Sequence, residues 1–168
     1  SQSLNIGDMG ELIPEIWQKI ANKFGNIHSN YGALIFSQRF YSQYSTCLNE
    51  LIKDPNTRRA IMVYLRPSIM NDCEMSLIDD VICTWGVSVF IRDNLLIYSV
   101  NMRSNDVIFG YKNDLYWHKF VHNKLLNDLS PIYSNLSLGP IYWHADSLHI
   151  YERHFPLIES YIGDNFEV

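Results

Sequence analysis

The chain has 168 residues, a formal net charge of −5 and 47% hydrophobic residues, which suits one domain with a properly buried core. No Lys/Arg run exceeds two residues, so a nucleic-acid backbone is a poor partner, although a nucleotide-sized ligand is allowed. Three cysteines, Cys47, Cys73 and Cys83, show no C-x-x-C spacing; with no signal peptide and no apolar run of membrane-spanning length, the expectation is a reducing, cytoplasmic setting without a membrane partner.

No repeat, low-complexity tract or Gly/Ser linker divides the sequence, so residues 1–168 are expected to form a single domain. Between 13 and 24 the apolar residues Ile13, Ile16, Trp17, Ile20, Ala21 and Phe24 recur at helical spacing, with Gly25 as a stop. A second helix is predicted over about 37–53, ending at Asp54-Pro55. Residues 60–65 are β-rich, and 83–91 followed by 95–102 predict a strand pair turning at Arg92-Asp93-Asn94. A long helix is predicted over 111–126 and a short strand over 140–143, while the segment from Ser147 onward is open between helix and strand. These elements predict a mixed α+β domain with a central sheet.

Cys83 and Arg103 stand at the head of one strand and the tail of the next. A fixed cation biases a nearby thiol toward thiolate, and an Arg-Ser pair such as Arg103-Ser104 is a clamp for phosphate. Arg58 and Arg59 would point to opposite faces of an extended chain, so ordinarily one is merely solvated. His149 and Tyr151, two apart, could both donate to a sugar hydroxyl or form an ordinary surface pair. Asp114 could be a first-turn acid favoured by the helix dipole. Trp117, His118 and His122 read as packing or surface, with no convincing metal spacing, and no metal is expected.

Taken in order, these segments resemble the thymidylate synthase superfamily over nearly the whole chain. Asn5-Ile6, Ile16-Trp17 and Tyr31-Gly32 are similar to that family's Asn-Ile, Ile-Trp and Tyr-Gly run, and Asp54-Pro55-Asn56-Thr57-Arg58-Arg59 resembles its D-P-x-S-R-R motif. Cys83 matches the nucleophile, Arg103-Ser104-Asn105-Asp106 the R-S-x-D motif, and His149-Ile150-Tyr151-Glu152-Arg153-His154 the H-[IL]-Y-x-x-H motif. The resemblance implies a thymidylate synthase-like mixed sheet with helices packed on one side. It also implies a homodimer in which Arg58 and Arg59 reach the phosphate held by the partner's Arg103 and Ser104, with His149 and Tyr151 on the ribose. Tyr31 and Asp106 join the active-site candidates on the same ground.

The position that is asparagine in thymidylate synthases is here Asp114, which resembles the deoxycytidylate hydroxymethylase branch. A carboxylate offers only acceptors, suited to the N4 amino group and a protonated N3 of cytosine, whereas a carboxamide suits uracil. Asn113 would read uracil only if the alignment slipped by one. Thr84 replaces the histidine that usually follows the nucleophile. By the same resemblance the family's catalytic glutamate and a phosphate-binding arginine loop would lie before Ser1, Glu11 and Glu15 being poor substitutes, and a folate-closing tail has no obvious counterpart after His154. The resulting expectation is C5 one-carbon transfer on a pyrimidine nucleoside monophosphate, foremost dCMP or CMP hydroxymethylation with 5,10-methylenetetrahydrofolate. Thymidylate synthase and a non-catalytic nucleotide-binding homologue are the alternatives.

Overall fold

A computed structural model describes residues 3–10, 13 and 15–163; Glu11 lies outside them. In chain order come helices α1 (Glu15–Ile20), α2 (Tyr31–Phe36) and α3 (Gln43–Lys53), strand β1 (Ile61–Val63), helix α4 (Ile69–Ser76) and strands β2 (Thr84–Arg92), β3 (Leu95–Met102) and β4 (Asn105–Asp106). The long helix α5 (Gly110–Leu129), strands β5 (Ser137–Ala145) and β6 (Leu148–His149), and helix α6 (Phe155–Ile162) complete the chain.

The main sheet has the order β1-β2-β3-β5, with β1, β2 and β3 antiparallel and β5 parallel to β3. Alternation sorts β3 cleanly: Leu96, Tyr98, Val100 and Met102 are buried, whereas Leu95, Ile97, Ser99 and Asn101 face the other way. The buried face packs on Tyr44, Cys47 and Leu51 of α3 and on Val121, Leu125 and Leu129 of α5. The helices thus cover one side of the sheet, as expected. The opposite face leaves Ile61, Val63, Leu95 and Tyr142 exposed.

The predicted hairpin is present, and its turn is narrower than the three residues expected. Arg92 already pairs with Leu95, leaving Asp93 and Asn94 at φ 52° and 60°, the left-handed pair that matches the strand twist. Two helices differ from the sequence reading. The first ends at Ile20, and Gly25 takes φ 76° five residues later. The helix predicted over 37–53 is instead a 3-10 turn, Gln38–Phe40, followed by α3, because Tyr41 and Ser42 adopt left-handed φ values of 66° and 45°. Nothing in their side chains signals that break. Helix α2 is capped by Asn30, whose side-chain oxygen accepts from the N–H groups of Gly32 and Ala33. Beyond Ser147 the chain does both things that were open: a two-residue strand, then a helical turn and α6.

Pairing places the candidate residues Cys83 and Arg103 at one end of the sheet. Val63 lies opposite Gly86 and Gly86 opposite Asn101, so the start of β2 and the ends of β1 and β3 share an edge. Gly86 is required there, since a Cβ would stand 2.8 Å from the carbonyl oxygen of Met62. Cys83 immediately precedes β2 and Arg103 immediately follows β3. The backbone N–H of Arg103 donates to the Cys83 carbonyl at 2.9 Å, closing the ladder between them.

Candidate active site

Arg103 is bound to the backbone beside the thiol. Its Nε donates to the carbonyl of Ile82 at 3.0 Å and its Nη2 to that of Val81 at 2.6 Å, with Nη2 also 3.7 Å from Sγ of Cys83. The expected bias toward thiolate is therefore only half of the balance. Burial pushes the Cys83 thiol above its ordinary range, and the nearby Asp114 and Asp80 add to this, while the Arg103 cation pulls the other way without winning. The free thiol is held mainly protonated, and a ligand must shift that balance. Cys47 is inert by comparison, fully buried and pushed up to about 12.

After Arg103 and Ser104 the chain enters β4, which pairs in parallel with β6: Asn105 lies opposite Leu148 and Asp106 opposite His149. This small second sheet brings the Arg103-Ser104 segment next to His149, whose ring stands edge-on to Tyr151 at 5.0 Å. Asp106 has a role that its motif does not announce. Its two carboxyl oxygens accept from the N–H groups of Ile108, Phe109 and Gly110, capping the start of α5. Burial alone would raise its pKa, but these three donors hold it below the ordinary value.

On α5, Asp114 faces inward and Asn113 is exposed. Asp114 is not a first-turn acid; it stands one turn inside the helix, and burial pushes its carboxyl up to about 7. Its Oδ2 accepts from Nδ2 of Asn105 at 2.8 Å, the single bond that opposes this rise. Tyr31 closes the site from α2: its hydroxyl accepts from Thr84 at 2.9 Å, and its ring packs on Tyr64 and Trp117. The threonine after the nucleophile is thus fully buried and engaged with this tyrosine. His118 and His122 are buried in the core, bonded to the Tyr98 hydroxyl and the Leu96 carbonyl.

Arg58 and Arg59 are not brought to this cluster. They precede β1 at its Ile61 end, opposite Ser88, whereas Cys83 and Arg103 are at the other end of β2. Arg92, at that far end, touches the carbonyls of Pro55 and Asn56 in the same loop. Both Arg58 and Arg59 are exposed, and their side chains make no hydrogen bond or ion pair among the described residues. Two concavities, about 330 and 440 Å³ in volume, lie elsewhere and are lined by neither Cys83, Arg103, Asp114 nor His149.

Sequence reasoning passed over Asn105, quoted only as the variable position of R-S-x-D, and Asp80, whose Oδ2 accepts from the N–H groups of His28 and Ser29. Alternating burial along a two-residue strand was the only signal available for Asn105, and two residues are too few to show a period.

A cysteine and an arginine at one sheet edge, a phosphate-type Arg-Ser step and a buried carboxyl on the crossover helix match one known family, and the chain belongs to it: the thymidylate synthase family model matches residues 1–165. The deoxycytidylate 5-hydroxymethyltransferase of Enterobacteria phage T4 is 44% identical over 163 residues, 96% of this chain and 66% of that protein. The chain therefore spans just under two thirds of the length of that relative. A thymidylate synthase of Fusobacterium nucleatum is 31% identical over 170 residues, 99% of this chain and 58% of that protein. Among solved structures, the thermostable thymidylate synthase A from Bacillus subtilis superposes with a TM-score of 0.74 at 19% identity, covering 99% of this chain and 59% of that one. That likeness establishes the fold, a mixed sheet with helices on one side.

Proposed function

We propose that this chain carries the nucleotide site of an enzyme that transfers a one-carbon unit to C5 of dCMP, giving the hydroxymethyl product. One observation carries the choice of base: the inward-facing residue on α5 is the carboxyl of Asp114, and the carboxamide of Asn113 is turned to solvent. A carboxylate opposite O4 of uracil would set two acceptors together, whereas opposite the N4 amino group of cytosine it gains a charge-assisted hydrogen bond. A carboxyl held near 7 can also share a proton with N3 of cytosine. The identity to the phage hydroxymethyltransferases supports the same reading.

In this reading Cys83, as thiolate, adds to C6 of the pyrimidine, and the electron pair pushed onto the ring makes C5 nucleophilic toward the one-carbon unit; once the C5 proton has gone, water adding to the new exocyclic carbon supplies the hydroxyl and the thiolate is expelled from C6. Arg103 and Ser104 bind the phosphate, with His149 and Tyr151 on the sugar. Tyr31 and Asp106 complete the surround. The family's one-carbon donor is 5,10-methylenetetrahydrofolate, and the exposed Val107 and Phe109, between Asp106 and α5, offer apolar contact to the rings of such a donor. When bound, it supplies the one-carbon unit; the residues above bind, orient and activate the base.

The far placement of Arg58 and Arg59 supports a homodimer. Two unpartnered cations at the end of the sheet opposite Arg103, and an apolar outer face bearing Ile61, Val63, Leu95 and Tyr142, fit two copies packed face to face, so that each lends its arginines to the other's phosphate. Among the described residues the buried apolar side chains form one hydrophobic core cluster, in keeping with one domain, and no helix is long and apolar enough to cross a membrane.

The test is release of tritium from C5-tritiated dCMP in the presence of methylenetetrahydrofolate, with C5-tritiated dUMP as competitor. Release from dCMP with hydroxymethyl product supports the proposal. Release from dUMP alone returns the chain to the thymidylate synthase reading, and dCMP binding without release makes it a binding homologue.

A further inference from the structure

Asn105 is almost wholly buried, yet it is not a core filler. Its backbone N–H donates to the Ser147 carbonyl at 2.9 Å, so β6 fixes its position, and its Nδ2 then reaches Oδ2 of Asp114 across to α5. The approach is close: a Cβ on Gly110 would meet Asn105 Nδ2 at 3.5 Å and Asp106 Cβ at 3.2 Å. Two acceptors remain. Oδ1 of Asp114 has no hydrogen-bond partner among the described residues, and Oδ1 of Asn105 is buried with none. A buried, unpaired acceptor costs free energy until a donor arrives.

We infer that Asn105 is the positioning residue for base choice: its side-chain N–H holds one oxygen of Asp114, leaving the other oxygen of Asp114 and its own Oδ1 as a pair of acceptors for the exocyclic amino group of a cytosine nucleotide. This rests on the reading of Asp114 as the base contact.

The chemistry requires a donor at position 105. The other groups that face Asp114 electrostatically are Tyr31, Tyr64 and Cys83, all raised by burial and all neutral, so none of them supports a charge there. Without the Asn105 N–H, the buried carboxyl would keep its proton and present an O–H. A protonated acid donates, and a donor is what O4 of uracil accepts. Loss of Asn105 should therefore relax selectivity, and not merely weaken binding. A second carboxylate at 105 would oppose the first, and an apolar residue would leave Asp114 buried without a hydrogen bond.

The experiment is calorimetric titration of the purified protein with dCMP and with dUMP, for the wild type, Asn105→Ala and Asn105→Ser, the last with a hydroxyl too short to reach Asp114. Thermal melting confirms that each variant is folded. The expected result is a fall of roughly tenfold or more in the dCMP-over-dUMP affinity ratio for both variants, through lost dCMP affinity with dUMP unchanged or improved. An unaltered ratio overturns the inference, as does an equal loss for both nucleotides, which would give Asn105 a purely structural role. A variant too unstable to bind either nucleotide while the other keeps the wild-type ratio also counts against it. A wild type with no preference for dCMP defeats the reading of Asp114 itself, an outcome distinct from a selective wild type whose variants remain selective.

Discussion

Nη2 of Arg103 lies 3.7 Å from Sγ of Cys83 and 2.6 Å from the carbonyl oxygen of Val81. The guanidinium is thus tethered to the backbone beside the thiol, where it opposes the burial that keeps the thiol protonated. Losing it should affect both the Cys83 thiol and, on the proposed reading, phosphate binding.

Arg103→Met should raise the Cys83 pKa further, because only the unfavourable effects of burial and of Asp114 and Asp80 would remain. Iodoacetamide labelling of Cys83 near neutral pH should slow roughly three- to tenfold, following the thiolate fraction. Labelling rates against pH, with the modified residue identified by peptide mass, check this; an unchanged rate would mean that the 3.7 Å contact has no electrostatic weight.

A 5-fluorinated dCMP together with methylenetetrahydrofolate should form a covalent adduct on Cys83, because fluorine at C5 cannot leave as a proton does and the thiolate stays attached. Cys83→Ser should abolish the adduct, and Cys47→Ser should leave it intact. Mass found on Cys47 or Cys73 would remove Cys83 from the nucleophile role.

Arg58→Ala and Arg59→Ala should each weaken nucleoside monophosphate binding by about 2–4 kcal/mol while leaving the weaker nucleoside binding unaltered. Mixed with Cys83→Ser, an Arg59→Ala subunit should regain activity, since one of the two sites in the heterodimer then carries neither defect. Tyr142→Arg, on the exposed sheet face, should shift sedimentation toward monomer and reproduce the Arg58→Ala loss. Full complementation failure would place the arginines in the same subunit's site or in none.

The carboxyl of Asp114 sits at about 7, against an ordinary 3.8. Across that interval the folded state binds a proton that the unfolded chain has lost, so this group makes the unfolding free energy fall as pH rises from about 4 through about 7. Asp114→Asn should flatten that slope, stabilising the protein near pH 8 more than near pH 5 by an amount on the order of a few kcal/mol. Urea titrations at the two pH values measure it. The same variant should move base preference from dCMP toward dUMP by roughly ten- to a hundredfold.

Much of this site was legible in the sequence because its parts are short, contiguous strings. Strands β2 and β3 alternate cleanly and flank Asp93-Asn94, so the sequence alone places the thiol and the guanidinium at neighbouring strand ends. What stayed hidden depends on pairing across the chain. The two-residue strands β4 and β6 exist only through each other, and the hydrogen bond from Asn105 to Asp114 joins two elements that no local periodicity relates. The left-handed Tyr41 and Ser42 carry no glycine or proline to mark the break. Helix α4 buries only Ile69 and is half polar, so its apolar period is weak.

Strand β5 runs parallel to β3, pairing Leu95 with Ser137 and Met102 with Ala145. Parallel neighbours require a crossover, and here the crossover is α5, the helix that carries Asp114. The β2–β3 hairpin can form from local contacts on a short timescale, whereas closing β5 onto it must first meet the loop entropy of the whole crossover. On the proposed reading of Asp114, recognition of the base is thereby tied to the slow part of folding: a chain still emerging from the ribosome would own a thiol and a cation before it owned any means of telling one pyrimidine from another.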